Sequence, residues 1–340
     1  MLNVLRGKSI LFGITGSVAA YKAIDIIRLL KKEEASVNVI LTDASKYFIT
    51  PLSVELASGN QAYWDMFESP LSHVSLTADA DLFVIAPATA NIIGKYANGI
   101  ADDMLSTALL AFRGKVIFVP AMNWRMWESP VVQKNVEHLL SLGITFVGPE
   151  KGLLACGEEG IGRMTDVEEV MEVIRGSLMK QDLSDEKVLV TAGPTREYLD
   201  PVRYISNMSS GKMGYAIARA SRMRGADVTL ISGPVSLKVP YGVYLEKIET
   251  ADEMYDAVME HMKNSTILIM SAAVSDYKSS RTEDLKIEKK EKMELELLKT
   301  RDILKDASRC KKGQYIVGFS AETGDRIDRA RKKISDKNID

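Results

Sequence analysis

The sequence predicts an α/β protein built from two doubly wound, mostly parallel-sheet domains, and three observations carry that prediction. The chain opens the same way twice. Lys8-Ser9-Ile10-Leu11-Phe12-Gly13-Ile14-Thr15-Gly16-Ser17 and Lys187-Val188-Leu189-Val190-Thr191-Ala192-Gly193-Pro194-Thr195-Arg196 are each an apolar strand emptying into small residues before a helix. Such a turn exposes backbone N–H groups at the positive end of a helix dipole, which suits a phosphate-bearing ligand. Strand and helix patterns then alternate along both halves. Finally, Asp81–Ala86 and Lys115–Pro120 are short, continuous apolar runs, as central strands covered on both faces require.

In the first half the elements follow in order. Ser9–Ile14 is a strand, Val18–Glu33 a helix with apolar residues at helical spacing, and Val37–Thr42 a second strand. Ile144–Gly148 is expected as the last strand, Asp166–Lys180 as a closing helix and Gln181–Glu186 as a polar linker, giving domains 1–184 and 185–340. The second half restarts with strand Val188–Thr191, helix Gly214–Arg224 and strands Val228–Ser232, Ile267–Ser271 and Tyr315–Phe319. Between the last two, the charged stretch Lys278–Met293 reads as a mobile flap or hairpin, or as an ordinary solvated face.

Composition narrows the function. A formal net charge of −2 and a pI near 6.1 supply no general basic surface, which argues against a nucleic-acid partner. Cys156 and Cys310, the two cysteines, form neither a disulfide framework nor a metal site by themselves. The N-terminus lacks a signal-peptide core, and no apolar stretch approaches the ~20 residues that span a bilayer. A soluble protein of the cytoplasm, with no membrane partner, is the expectation.

Neither half carries the dinucleotide G-x-G-x-x-G, and Gly211-Lys212 is followed by Met213 where a phosphate-binding loop of the Walker type needs Ser or Thr. Ala86-Pro87-Ala88-Thr89-Ala90-Asn91 follows a buried strand and puts Thr and Asn at its carboxyl end, where open α/β sheets bind ligands; capping a helix is the bland alternative. Lys95, Asp102, Asp103 and Ser106 continue that polar set. In Pro120-Ala121-Met122-Asn123-Trp124-Arg125-Met126-Trp127, Asn123 has an amide to offer a carboxylate, while the Met and Trp side chains suit either an aromatic cofactor or plain packing. His73 precedes the acidic Asp79 and Asp81, and a lone histidine is more often structural than catalytic. Cys156 sits in a Gly-dense loop, Ala155–Met164, without helical or strand period, where a thiol can exchange protons over a site. In the second half, Thr195–Asn207 is polar and irregular and leads into Ser209-Ser210-Gly211-Lys212-Met213-Gly214, an anion cradle at a helix start. Ala272–Tyr277 opens from a strand end, and Lys286 and Lys289 lie on the flap within the same half. Read singly, each has a bland alternative; in sequence they suit a nucleoside-triphosphate site.

Gly16-Ser17-Val18-Ala19-Ala20-Tyr21-Lys22, Pro87-Ala88-Thr89-Ala90-Asn91, Pro120-Ala121-Met122-Asn123, Ala155-Cys156-Gly157 and Ser206-Asn207-Met208-Ser209-Ser210-Gly211-Lys212-Met213-Gly214, in that order, resemble the fused decarboxylase–ligase family of coenzyme A biosynthesis over essentially the whole chain. The resemblance implies a flavodoxin-like or Rossmann-like FMN domain that decarboxylates 4′-phosphopantothenoylcysteine. In that chemistry the thiol is oxidised to a thioaldehyde, sulfur takes up the electrons left by carbon dioxide, and the enethiolate is reduced. It implies His73 as the active-site histidine, Asn123 as the holder of the substrate carboxylate and Cys156 as proton donor, with Gly16, Ser17, Thr42, Thr89 and Ser106 against FMN. For the second half it implies a Rossmann-like ligase that joins 4′-phosphopantothenate to cysteine through an acyl-cytidylate made from CTP. Asn207 would stabilise that intermediate and Lys286 the α-phosphate, while Asp276 would bind the CTP–Mg²⁺ complex. Ala272, Arg301, Asp302, Ile303, Leu304, Phe319, Lys333 and Lys337 match further nucleotide contacts. Trimeric decarboxylase contacts and dimeric ligase contacts, hence a homo-oligomer, also follow from the resemblance. Two departures stand out: Glu288 replaces the middle lysine of the family's Lys-x-Lys-Lys run, and the family continues past Asp340 into a strand ending Ala-Asn-Asp, so the second domain is expected to be incomplete. Two other classes are weighed against this reading: a flavoprotein of the same fold without catalysis, serving as a regulatory subunit, and an NAD(P) oxidoreductase. The joint presence of His73, Asn123 and Cys156 opposes the first, and the missing dinucleotide fingerprint opposes the second.

Overall fold

The computed structural model describes residues 4–67, 71–155, 157–289, 291–319, 334, 337, 339 and 340, and for residue 72 the backbone alone. The chain divides into two compact units, residues 1–179 and 180–340.

In the first unit, strands β1 (Ser9–Ile14), β2 (Ser36–Leu41), β3 (Ala62–Tyr63), β4 (Leu82–Ala88), β5 (Lys115–Pro120) and β6 (Thr145–Phe146) form one sheet in the order β3-β2-β1-β4-β5-β6, every pair parallel. Helices α1 (Tyr21–Lys32), α2 (Pro51–Ser58), α3 (Ser72–Ala78), α4 (Ala90–Ala97), α5 (Met104–Ala111), α6 (Trp124–Trp127), α7 (Pro130–Ser141) and α8 (Val167–Leu178) connect and cover it. Phe12, Phe83 and Phe118 are fully buried, which is why these strands read as unbroken apolar runs. Phe83 meets Phe112 edge-on at 5.6 Å, and Phe118 stacks on Phe146 at 5.4 Å. The Gly-dense segment expected to be aperiodic contains β8 (Glu159–Arg163), which pairs antiparallel with β7 (Glu150–Leu153). Its alternation is hidden in the sequence because glycines occupy one face.

The second unit repeats the plan. Strands β9 (Lys187–Ala192), β12 (Asp227–Ser232), β13 (Tyr244–Lys247), β14 (Ile267–Met270) and β17 (Tyr315–Gly318) run parallel in the order β13-β12-β9-β14-β17. Helices α9 (Lys212–Met223), α10 (Ala251–His261) and α11 (Ile303–Arg309) accompany it. Two antiparallel ribbons stand apart from the sheet: β10 (Arg196–Tyr198) with β11 (Tyr204–Ser206), and β15 (Tyr277–Ser279) with β16 (Leu297–Lys299). The stretch read as a flap is thus the long loop closing the second ribbon. Residues 181–186, read as a linker, are tied to this unit: Leu183 N–H donates to Arg224 O at 3.1 Å, and Arg224 Nε reaches Asp182 at 2.8 Å.

Candidate functional site

At the carboxyl edge of the first sheet, three strand ends converge. Thr15, just past β1 and 2% exposed, donates through Oγ1 to Pro87 O (2.7 Å) and accepts from Thr89 N–H (3.1 Å), so one hydroxyl fastens the loop after β4. Thr89 caps α4 in extended geometry, with no capping bond from its side chain. Gly16 lies against Ala44, where a Cβ would come within 2.5 Å of the alanine methyl, and Thr42 N–H joins Ile14 O at 3.1 Å. Ser17 caps the turn before α1, its Oγ accepting from Ala19 N–H at 3.3 Å. Gly16, Ser17, Thr42 and Thr89 are therefore at neighbouring strand ends. Ser106 is placed differently: at 1% exposure its hydroxyl is engaged inside the capping box of α5 with Asp103, one turn into the helix.

Beside these loops lies a cavity of about 560 Å³ lined by Ser17, Lys22, Met122, Asn123, Leu154 and Arg163, among others. Asn123 begins α6, its Oδ1 accepting from Arg125 N–H at 2.9 Å. The β7–β8 hairpin is docked onto this loop. Met122 N–H donates to Gly162 O at 3.1 Å, and a methyl at Gly162 would come within 2.1 Å of Met122 O, so only glycine permits that approach. Glu158 accepts from Trp124 Nε1 and Arg125 Nη2, both at 2.8 Å. Cys156 lies outside the described residues. Gly157 N–H donates to Leu154 O and Leu154 N–H to Glu158 O, both at 2.9 Å, and Leu153, Leu154 and Ala155 line the same cavity as Asn123. His73 is on α3, which packs on α5, and is not part of the cavity lining. His73 Nδ1 and Thr107 Oγ1, on that same helix pair, are buried polar atoms without a partner among the described residues. Sequence alone names no role for Thr15, Lys22 or Glu158, because their partners, Pro87, Met164 and Trp124, are distant in the chain.

Lys95 on α4 lies between Asp102 (2.6 Å) and Asp103 (2.7 Å) ahead of α5. Burial alone would lower the lysine and raise Asp103; their mutual hydrogen bonds, with Ser106 assisting Asp103, outweigh it and shift each the opposite way.

In the second unit, Asn207 follows β11 and donates through Nδ2 to Val274 O at 2.9 Å, so it stands against the loop after β14 that contains Ala272. That loop is held from β9: Ala272 N–H donates to Thr191 Oγ1 (3.1 Å) and Ser275 N–H to the buried Thr195 Oγ1 (3.0 Å). Asp276 is exposed, its carbonyl accepting from Thr300 N–H at 3.0 Å across the base of the β15–β16 ribbon; Lys286 is exposed on the loop closing that ribbon. Asp302 caps α11 and pairs with Lys337 at 2.9 Å, which holds its carboxyl below the usual range although burial alone would raise it. Arg301 lies 3.7 Å over the Tyr255 ring and bridges Asp252 and Asp256, both at 3.2 Å. Ile303 is buried in the core with Leu304 packed on it, so these two side chains belong to the core. Phe319 is half exposed beyond β17; Lys333 lies outside the described residues. A cavity of about 900 Å³ at the ends of β12 and β13 is lined by Arg196, Gly233, Glu249 and Glu253, and by none of these candidates.

The family model Flavoprotein matches residues 2–179, and DNA/pantothenate metabolism flavoprotein C-terminal domain matches 183–340. The coenzyme A biosynthesis bifunctional protein CoaBC of Haemophilus influenzae is 43% identical over 343 residues, covering 99% of this chain and 86% of the relative. Those of Bacillus subtilis and Escherichia coli are each 42% identical over 346 residues, covering 99% of this chain and 85% of the relative. Among solved structures, a PPC decarboxylase complexed with pantothenoylaminoethenethiol is 31% identical, with a TM-score of 0.47 over 50% of this chain and 97% of that one. Two family models that meet near the boundary of the two units, and relatives matched from end to end of this chain, place it in the bifunctional coenzyme A biosynthesis (CoaBC) family, which joins a phosphopantothenoylcysteine decarboxylase to a phosphopantothenate–cysteine ligase.

Proposed function

We propose that the flavin of the first unit is FMN, bound where β1, β2 and β4 end, and that the cavity beside Asn123 takes the cysteinyl end of the substrate. The observation that carries this reading is the docking of the β7–β8 hairpin on the Asn123 loop. The residues suit the group. Hydroxyls and backbone amides at strand ends match a phosphate and ribityl chain, and Met122 and Leu154 offer apolar walls. Bound FMN supplies a two-electron oxidation of the substrate thiol and the later return of those electrons. Asn123 Nδ2 donates to the carboxylate and orients its C–C bond. The apolar walls exclude water, which favours loss of charge as carbon dioxide leaves. The electron pair moves onto the oxidised carbon–sulfur unit, and the Cys156 thiol delivers the proton that completes reduction. His73 handles protons from α3.

In the second unit the carboxylate of 4′-phosphopantothenate attacks the α-phosphorus of CTP and pyrophosphate leaves; cysteine's amine then displaces CMP from the acyl-cytidylate. Lys286 neutralises charge at the α-phosphate, and Asn207, fixed against the Ala272 loop, stabilises the acyl-cytidylate. A single exposed carboxylate, Asp276, suits Mg²⁺, which is commonly held by one or two carboxylates together with nucleotide phosphates. Ile303 and Leu304 then meet the nucleotide through their backbone. Homo-oligomeric contacts belong to the same reading; Tyr47, Leu56 and Phe67, 90%, 79% and 81% exposed, are the apolar groups such contacts would cover. So does a cytoplasmic site of action. Among the described residues no helix is long and apolar enough to cross a membrane.

Carbon dioxide release tests both halves. Release from 4′-phosphopantothenate, cysteine, CTP and Mg²⁺, as well as from pre-made 4′-phosphopantothenoylcysteine, is expected. Release from neither by flavin-loaded protein would overturn the assignment of residues.

A further inference from the structure

Asp200 has no role in the chemistry just described, yet it is a carboxylate with 0% exposure. One oxygen accepts from the N–H groups of Val202 and Arg203, both at 2.8 Å, and closes the turn between β10 and β11. The other accepts from Ile287 N–H at 3.1 Å, 87 residues away on the loop that closes the β15–β16 ribbon. Arg203 pairs with Asp200 at 3.3 Å and donates through Nη1 to Ile287 O at 3.1 Å. Both backbone groups of Ile287, the residue next to Lys286, are thereby gripped by one ion pair. The same loop is fastened at its near end, where Thr282 Oγ1 donates to Tyr198 O (3.1 Å) and Glu283 N–H to Leu199 O (2.9 Å). Lys286 itself is exposed.

We infer that Asp200 is a positioning residue for the ligase reaction: through Ile287 it fixes the backbone from which Lys286 reaches the α-phosphate of CTP. Burying a carboxylate is costly unless it is fully hydrogen-bonded, and this one is satisfied from both sides only while the loop is docked. Burial alone would raise its pKa; the N–H donors of Val202, Ile287 and Arg203, with the Arg203 charge, hold it low. The inference rests on the reading of Lys286 as the lysine of the cytidylylation step.

The test uses the full chain and follows pyrophosphate release from CTP and 4′-phosphopantothenate, with decarboxylation of pre-made 4′-phosphopantothenoylcysteine as an internal control. Asp200→Asn keeps an oxygen for Val202 and Arg203 but turns an amide toward the Ile287 N–H, donor against donor. It should lower kcat about a hundredfold with little change in KM for CTP, because a displacement of ~1 Å in a positioned group costs that much. Ile287→Pro removes the same hydrogen bond from the loop side, so it should fall similarly and add little to Asp200→Asn. Combining Asp200→Asn with Lys286→Ala should be no slower than Lys286→Ala alone. Decarboxylation should hold throughout. Full ligase activity in Asp200→Asn, or losses that multiply with Lys286→Ala, would overturn the latch. Unchanged pyrophosphate release in Lys286→Ala alone would overturn the reading of the lysine, and the latch with it.

Discussion

Gly214 lies in the first turn of α9, against the end of β9 and Ser271, the residue just past β14. A Cβ there would sit 2.6 Å from Ala192 Cβ, 2.7 Å from Ser271 Oγ and 2.9 Å from Thr191 O. Carbon–carbon contacts are comfortable at roughly 3.5–4.0 Å, so Gly214→Ala forces α9 outward by ~1 Å. Two effects oppose each other. Alanine favours the helix over glycine by about 1 kcal/mol, whereas overpacking a filled site costs about 1–3 kcal/mol. The new methyl also intrudes on the Ser271 Oγ–Thr191 O hydrogen bond (2.6 Å), whose loss adds about 1 kcal/mol. The net expectation is a destabilisation of roughly 1–3 kcal/mol confined to the second unit, a drop on the order of 5 °C in its transition. Function should fall further than stability, because Thr191 also accepts from Ala272 N–H and Asn207 leans on the same loop. Calorimetry of the full chain would follow the second transition while the first serves as reference, alongside pyrophosphate release. A variant as stable as the parent, with undiminished ligation, would refute the steric argument and show that helix propensity dominates.

Three further outcomes are expected. Thr15→Val leaves Pro87 O and Thr89 N–H without their shared hydroxyl, so it should cost about 1–3 kcal/mol in the first unit and release flavin, seen as lost visible absorbance in the purified protein. Glu158→Gln weakens both anchors of the hairpin and should slow decarboxylation while pyrophosphate release is unchanged; equal slowing of both would refute its local role. For Asp103 the folded pKa is depressed, so its stabilising contribution is present above the unfolded value near 3.9 and disappears as pH falls through the folded one. The stability gap between the parent and Asp103→Asn should therefore be constant above about pH 5 and narrow below about pH 4, as denaturant titrations at each pH would show.

The central strands were legible because burial on both faces leaves continuous apolar runs: β1, β4, β5, β9 and β12 all stand where the sequence places them. Short edge strands such as β3 and β13 have too few residues to show a period, and the ribbon segments are Gly-rich or polar, so β8, β10 and β11 read as loops. The site divides the same way. The small-residue loop at Gly16 and Ser17 and the position of Thr89 follow from strand ends, which pattern predicts, whereas Thr42 as a cofactor contact comes only from the family resemblance. Long-range partners do not: nothing local marks Glu158 for Trp124, Asp302 for Lys337 or Asp200 for Ile287, since each pair is made by the fold.

The two units use one frame for different chemistry, and the frame explains where reactive groups can be added. In each sheet the first strand lies between the second strand and the strand that follows the reversal of order, so a crevice opens at its carboxyl end. A buried threonine at the end of that strand holds the crevice in both cases: Thr15, just past β1, accepts from Thr89 N–H in one and Thr191 from Ala272 N–H in the other. A threonine suits the place because its branched side chain packs at a strand end while its hydroxyl takes up a loop amide that would otherwise be unsatisfied. With the crevice fixed, reaction-specific side chains need not come from the sheet. They are carried on or beside antiparallel ribbons, β7–β8 in the first unit and β15–β16, with Lys286 in its closing loop, in the second, and a carboxylate, Glu158 or Asp200, helps to dock each. Substitutions at the ribbon tips should therefore change rate with little effect on stability, whereas substitutions at the threonines and at the two docking carboxylates should change both.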